Sequence, residues 1–83
     1  MAPEETAILH SIIRAELGNP ALALEPSTVI REIDGIESMK VLRIIAKIER
    51  QFGVELDDEV VFNTGTFGEL VSALDRARAE AAQ

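Results

Sequence analysis

The sequence predicts an all-α protein, a four-helix bundle with three long helices, one short helix and a long connection between the first two. Two observations predict this class. Apolar residues recur at spacings of three and four in three stretches. No stretch alternates polar and apolar residues for long enough to form a strand in a sheet. The 83 residues are enough for one domain, which we place over residues 1–83.

The first helix is predicted over about residues 3–17. Pro3 suits the first helical position, and Glu4 complements the positive end of the helix dipole. His10 falls off the apolar face, so we expect an ordinary solvated histidine. The apolar face itself contains Ile8, Leu9, Ile12, Ile13 and Leu17.

A long connection, residues 18–37, follows the first helix. Connections of this length in a small domain are either functional or held by their own side chains. We therefore expect its apolar residues to pack onto the bundle. They are Leu22, Leu24, Val29, Ile30, Ile33 and Ile36.

The second helix is predicted over about residues 38–52, between glycines at positions 35 and 53. Ser38 then lies in the first turn, where backbone N–H groups have no helical partner and the dipole is positive. One interpretation of Ser38 is an ordinary N-cap. The other is a hydroxyl that carries a phosphodiester, which this end of a helix would hold favourably.

The last part of the chain contains a predicted short helix at about 58–62 and a long helix at about 67–80. Thr66 and Glu69 have the spacing of a capping box at the start of the long helix. Four acidic residues lie just before and at the start of the short helix. They could hold Ca²⁺ or Mg²⁺ weakly, but their spacing is not that of an EF-hand loop, so we expect a solvated acidic turn and assign no metal site. They are Glu55, Asp57, Asp58 and Glu59.

The segment Gly35-Ile36-Glu37-Ser38-Met39 resembles the Gly-x-Asp-Ser-Leu/Met signature of acyl and peptidyl carrier proteins. The segment from Ile48 to Leu56 resembles the end of that family's second helix and the loop after it. The resemblance covers nearly the whole chain and implies the acyl-carrier-like four-helix fold. It also implies that Ser38 bears a 4′-phosphopantetheine arm, which a phosphopantetheinyl transferase takes from coenzyme A. Glu37 stands where the family usually has Asp.

The resemblance further implies a carrier and not an enzyme, so no catalytic residue is assigned. Such a carrier holds an acyl or aminoacyl group as a thioester on the arm at Ser38. It passes the group between acyl-activating, condensing or acyltransferase enzymes of a fatty-acid, polyketide or related specialised pathway. Two alternatives stay open: a carrier-like interaction domain that is never modified, and an unrelated helical adaptor.

The second helix carries two apolar patterns. The first predicts a core stripe of Val41, Ile44, Ile45, Ile48 and Phe52. The second consists of Met39, Leu42 and Ala46. These three residues either widen the buried face or form an exposed ridge beside Ser38 that a partner would cover.

Basic residues also recur along this helix, at Lys40, Arg43, Lys47 and Arg50. They are either a solvated face with local partners, such as Gln51 or Glu49, or a means of choosing partners by charge. Carriers of fatty acid synthesis typically present an acidic second helix, so this chain departs from that pattern. The predicted docking residues are Glu37, Met39, Lys40, Leu42, Arg43, Ala46 and Lys47.

Net charge, cysteine content and the length of the apolar runs limit the classes of protein that fit this sequence. The net charge of −7 argues against nucleic acid as a partner, because phosphates would repel the protein. The chain has no cysteine, which excludes disulfides and a cysteine nucleophile within it. No apolar run approaches the length of a membrane span, and no signal peptide precedes the first helix. We therefore expect a cytoplasmic monomer.

Overall fold

The computed structural model describes residues 2–57 and 65–81, and these ranges hold three α-helices and one 3₁₀ turn, with no strand. The predicted all-α class is confirmed. None of the described helices is long and apolar enough to cross a membrane. The short helix predicted at about 58–62 lies outside the described residues. The elements are α1 (Pro3–Leu17), the 3₁₀ turn (Ile30–Glu32), α2 (Ser38–Phe52) and α3 (Phe67–Ala81).

Local signals in the sequence account for the helix ends. At the start of α1, the Glu5 carboxylate accepts a hydrogen bond of 3.1 Å from the backbone N–H of Ala2. Helices α1 and α2 both end at a glycine in the left-handed conformation, Gly18 with φ 64° and Gly53 with φ 66°. Glycine adopts this conformation without the steric cost of a Cβ atom, so each helix stops at that residue.

The start of α3 shows half of the predicted capping box, because Glu69 binds the backbone N–H of Gly65 and not that of Thr66. The backbone N–H of Glu69 donates to the Thr66 hydroxyl over 3.2 Å. The Glu69 carboxylate in turn accepts a hydrogen bond of 3.4 Å from the N–H of Gly65. Two backbone donors that the helix cannot satisfy are thereby paired by side chains.

One hydrophobic core joins the three helices and the connection between α1 and α2. Val41 and Phe52, predicted for the core stripe, are only partly buried at its edge. Truncation of a fully buried member should be costly, because it removes apolar contacts and leaves a cavity. The most deeply buried side chains are Leu9, Ile13, Ile48, Leu70 and Leu74.

The long connection packs onto this core, as predicted for most of its apolar residues. Leu24 and Ile33 are buried. Val29 is the exception, with 36% of its surface exposed, although its backbone pairs with that of Thr66. The partly buried members are Leu22, Ile30 and Ile36.

Backbone hydrogen bonds tie the same connection to the start of α3. The N–H of Phe67 donates to the carbonyl oxygen of Thr28 over 2.8 Å, and the N–H of Gly68 donates to that of Pro26 over 2.9 Å. Both donors lie in the first helical turn, where no helical carbonyl is available. The connection therefore caps α3, and its position before Ser38 is fixed by the bundle.

His10 is half-buried, so the expectation of an ordinary solvated histidine was wrong. Its ring packs against Phe67, with 5.2 Å between the ring centroids, and its buried Nε2 has no hydrogen-bond partner in the described ranges. Desolvation, with a smaller contribution from the charge of Arg14, lowers the pKa of His10. The helical period placed His10 beside the main apolar face of α1, but only packing against α3 shows that this side is covered.

Candidate attachment site and docking surface

Ser38 is the first residue of α2, and the residue before it caps the helix. Glu37 has an extended backbone, with φ −134° and ψ 159°, as expected of an N-cap. Its carbonyl oxygen accepts the first helical hydrogen bond, 3.0 Å from the N–H of Val41. The interpretation of Ser38 as an ordinary N-cap was therefore wrong, because its backbone is already helical.

The start of α2 suits an anionic group. No acidic residue lies in its first turn, and the side chain of Glu37 makes no capping hydrogen bond within the described residues. The first N–H groups of a helix have no helical acceptor and carry the positive end of the dipole. A phosphodiester on the first helical residue would meet this positive end without competition from a side-chain carboxylate of that turn.

The apolar ridge of α2 is exposed. The exposed fraction is 59% for Met39 and 43% for Leu42, and Ala46 is also exposed. Ile44 and Ile48, from the core stripe of the same helix, are buried. The interpretation in which the ridge widens the buried face was therefore wrong. The helix presents apolar side chains to solvent within two turns of Ser38.

Two of the four basic residues of α2 share one carboxylate from α1. The Nζ atom of Lys47 lies 2.7 Å from Oε2 of Glu16, and Nη1 of Arg43 lies 3.5 Å from Oε1. The Glu16 side chain is only 9% exposed, whereas those of Arg43 and Lys47 are 62% and 51% exposed. The hydrogen bond from Lys47 lowers the pKa of Glu16, although desolvation partly opposes this.

This arrangement corrects the predicted local pairs. The partner that the structure gives Lys47 is Glu16, 31 residues away, and not Gln51 on its own helix. The Glu49 carboxylate, expected to meet a basic residue, instead accepts a hydrogen bond of 2.8 Å from the N–H of Leu56. Sequence reasoning missed Glu16, because an isolated glutamate near the end of α1 gives no sign of its partner.

The remaining predicted docking residues lie around Ser38. Glu37 is exposed and Lys40 is partly buried. Lys40 and Arg50 make no ion pair with another described residue, so two cations of α2 have no carboxylate partner there. Within the same ranges, no group of three or more His, Cys, Asp or Glu side chains could hold a metal ion.

Comparison with known proteins identifies the family of this chain. A family profile described as "Phosphopantetheine attachment site" matches residues 7–74. The acyl carrier proteins of Arthrobacter sp. (strain FB24) and Paenarthrobacter aurescens (strain TC1) are each 34% identical over 76 residues, which cover 92% of this chain and 94% of theirs. That of Renibacterium salmoninarum is 33% identical over the same extent.

The fold agrees with a solved structure. The solution NMR structure of the holo acyl carrier protein from Geobacter metallireducens superimposes with a TM-score of 0.82. The match covers 98% of this chain and 92% of that one at 20% sequence identity, so it supports the fold alone.

Fold and family match together define a non-enzymatic carrier with a phosphopantetheine attachment site. The chain belongs to the acyl carrier protein family. Family membership shows that the alternative of an unrelated helical adaptor was wrong.

Proposed function

We propose that Ser38 bears the 4′-phosphopantetheine arm and that the protein carries an acyl or aminoacyl group. The observation that carries this proposal is the position of Ser38 as the first residue of α2, directly after the capping residue Glu37. When bound, the arm supplies a thiol that holds the group as a thioester. A phosphopantetheinyl transferase would make the phosphodiester bond to the Ser38 hydroxyl, with coenzyme A as the donor.

The backbone around Ser38 contributes position and charge. Gly35, with φ 84°, makes the turn that leads the chain into α2. Ile33 and Ile36 pack against the core, so the segment before Ser38 is anchored. The rigid helix then projects the attachment point at the end of the bundle, and the positive end of the helix dipole favours the phosphodiester.

Partner enzymes, in this proposal, bind the exposed face of α2. Met39 and Leu42 offer apolar surface close to the arm, and burial of such surface drives association. A flexible Met side chain also adapts to several partners, as a carrier requires. The proposed docking residues are Glu37, Met39, Lys40, Leu42, Arg43, Ala46 and Lys47.

The cargo belongs, in our proposal, to a fatty-acid, polyketide or related specialised pathway. The basic residues of α2 favour a specialised pathway over housekeeping fatty acid synthesis, because enzymes adapted to an acidic second helix would repel them. The partners would then be the acyl-activating, condensing or acyltransferase enzymes of that pathway.

Intact mass spectrometry tests the attachment site. The purified protein is incubated with a broad-specificity phosphopantetheinyl transferase and coenzyme A. The wild type should gain the mass of one arm, and Ser38→Ala should gain none. Ser11→Ala and Ser72→Ala remove exposed serines elsewhere in the chain and should still gain the arm.

The same experiment separates the carrier from its remaining alternative, a carrier-like interaction domain that is never modified. Absence of any mass gain in the wild type, while a known carrier is modified in parallel, would favour that alternative. Attachment to a serine other than Ser38 would leave the carrier function in place but disprove the site.

A further inference from the structure

We propose that Glu16 of α1 limits how strongly partners bind to α2, and that those partners present a surface with both acidic and apolar groups. This inference rests on the proposed function, because the partners are the enzymes that act on the group at Ser38. Glu16 would act as an internal carboxylate that competes with the carboxylates of a partner for Arg43 and Lys47.

The geometry of α2 places cations and apolar side chains side by side. At 3.6 residues per turn, Arg43 and Arg50 lie next to Met39 and Ala46 on the outward face of the helix. Lys47 lies further toward α1, as its contact with Glu16 shows. A partner that covers the apolar ridge must therefore also meet the row of cations along its border.

The ion pairs with Glu16 leave capacity for a second carboxylate. An ammonium group has three donors and a guanidinium group has five, and the observed contacts to Glu16 are one from each side chain. Both cations are more than half exposed, whereas Glu16 is nearly covered. A carboxylate on a partner can thus approach from the solvent side while Glu16 holds the cations from below.

Acidic residues on the other side of Ser38 restrict how the partner is oriented. Glu32, Asp34 and Glu37 are exposed and precede Ser38 in the chain. They would repel an acidic surface there, whereas Arg43 and Arg50 would attract it further along α2. The complementary partner therefore has its carboxylates opposite the middle and end of α2, and neutral or basic groups near Ser38.

A carrier that visits several enzymes needs rapid release as well as recognition. Charge complementarity mainly raises the association rate and fixes orientation. The Glu16 carboxylate offsets part of the positive charge of Arg43 and Lys47 at short range, so it lowers their attraction for the carboxylates of a partner. The remaining N–H donors of both side chains stay available. The same carboxylate holds Arg43 and Lys47 in place beside the ridge. Partner choice is thereby set in part by a residue outside α2.

Two synthetic helical peptides test the chemistry of the partner. Both have the same leucine face, bordered by glutamates in one and by lysines in the other. They are titrated into ¹⁵N-labelled protein with unmodified Ser38, and the amide signals of α2 are followed. The glutamate peptide should shift the signals of Met39, Leu42 and Arg43, and the lysine peptide should bind several-fold more weakly. Equal binding would overturn the acidic partner.

A second test uses a charge-reversed variant of the protein. Replacing both Arg43 and Lys47 by Glu should reverse the preference, so that the lysine peptide binds more tightly. Circular dichroism confirms that this variant is folded. An unchanged preference for the glutamate peptide would show that these two cations do not recognise it.

The role of Glu16 is tested with a matched control. Glu16→Gln and Glu4→Gln change the net charge equally, but Glu4 is exposed and lies about 18 Å from Glu16 along α1. At low salt, Glu16→Gln should tighten binding of the glutamate peptide several-fold, and Glu4→Gln should change it much less. High salt should reduce the difference.

If Glu16→Gln and Glu4→Gln change peptide binding equally, only the net charge of the protein affects binding. If Glu16→Gln instead weakens binding, Glu16 only positions the cations. Either result overturns Glu16 as a competing carboxylate. Because these titrations use the unmodified protein, they are independent of the mass measurement on Ser38. A failure here is thus distinguishable from a failure of the attachment site.

Discussion

The backbone N–H of Gly68 donates a hydrogen bond of 2.9 Å to the carbonyl oxygen of Pro26, and this contact joins α3 to the connection that precedes Ser38. The approach is close because residue 68 has no side chain. A Cβ atom there would lie 3.0 Å from the Pro26 oxygen and 3.3 Å from the Pro26 Cβ. Glycine is thus needed at this point for packing and not for its backbone conformation.

Gly68→Ala should therefore destabilise the protein, against the usual effect of this substitution in a helix. Helix propensity alone would favour Ala by up to about 1 kcal/mol. The contact with backbone atoms of Pro26 should outweigh this gain, and we expect a net loss of about 1 kcal/mol in the free energy of unfolding. Urea unfolding measures it, with Ser72→Ala on the exposed side of α3 as the control. A Gly68→Ala variant as stable as the wild type would show that the connection can move away.

The core and the ridge of α2 should respond differently to truncation. Ile48 is 0% exposed, so Ile48→Ala should cost about 2–4 kcal/mol through lost contacts and a cavity. Met39 is 59% exposed, so Met39→Ala should cost only about 0.5 kcal/mol. Denaturant unfolding of the two variants compares these losses directly. Equal losses would show that the ridge contributes to the core in solution.

His10 should make the fold less stable in mild acid. Because burial lowers its pKa in the folded state, the unfolded chain takes up a proton first as the pH falls below the ordinary value of 6.5. The unfolded state then binds more protons, so stability decreases as the pH falls and levels off below the folded-state pKa. Wild type and His10→Phe are compared by thermal unfolding between about pH 7 and pH 5.

The His10→Phe variant keeps an aromatic ring beside Phe67 but cannot titrate. It should lose less stability than the wild type over this range, while the contribution of carboxylates such as Glu16 is common to both proteins. Parallel curves for the two proteins would show that His10 is hydrated in solution and contributes nothing to the pH dependence.

Charge on α2 should also decide which condensing enzymes accept the loaded carrier. We expect poor activity with a housekeeping fatty-acid condensing enzyme, because its basic docking groups would meet Arg43 and Lys47. Reversing both residues to Glu should raise kcat/KM with that enzyme and lower it with the cognate enzyme, most visibly at low salt. If reversal leaves both values unchanged, the cations form only a solvated face.

The helix bounds and the core faces of this fold were predictable from the sequence, because they depend on nearby residues. Pro3 and Gly18 bound α1, and Gly53 ends α2, because their allowed backbone angles favour starting or stopping a helix wherever the chain is placed. The period of the apolar residues likewise marks the core faces. The approximate position of Ser38 at the start of α2 followed from the same local signals. These features depend on neighbours only a few residues away.

Tertiary structure decided the rest, because the helical period defines the faces of a helix but not what lies opposite them. Only packing shows that Glu16 meets Lys47 across 31 residues and that His10 is covered by Phe67. The exposure of the Met39 ridge had two readings in the sequence, since an apolar residue beside the core stripe can be covered or left open. In the part of the chain that the structure describes, the neighbouring elements do not cover the ridge, so Met39 stays exposed.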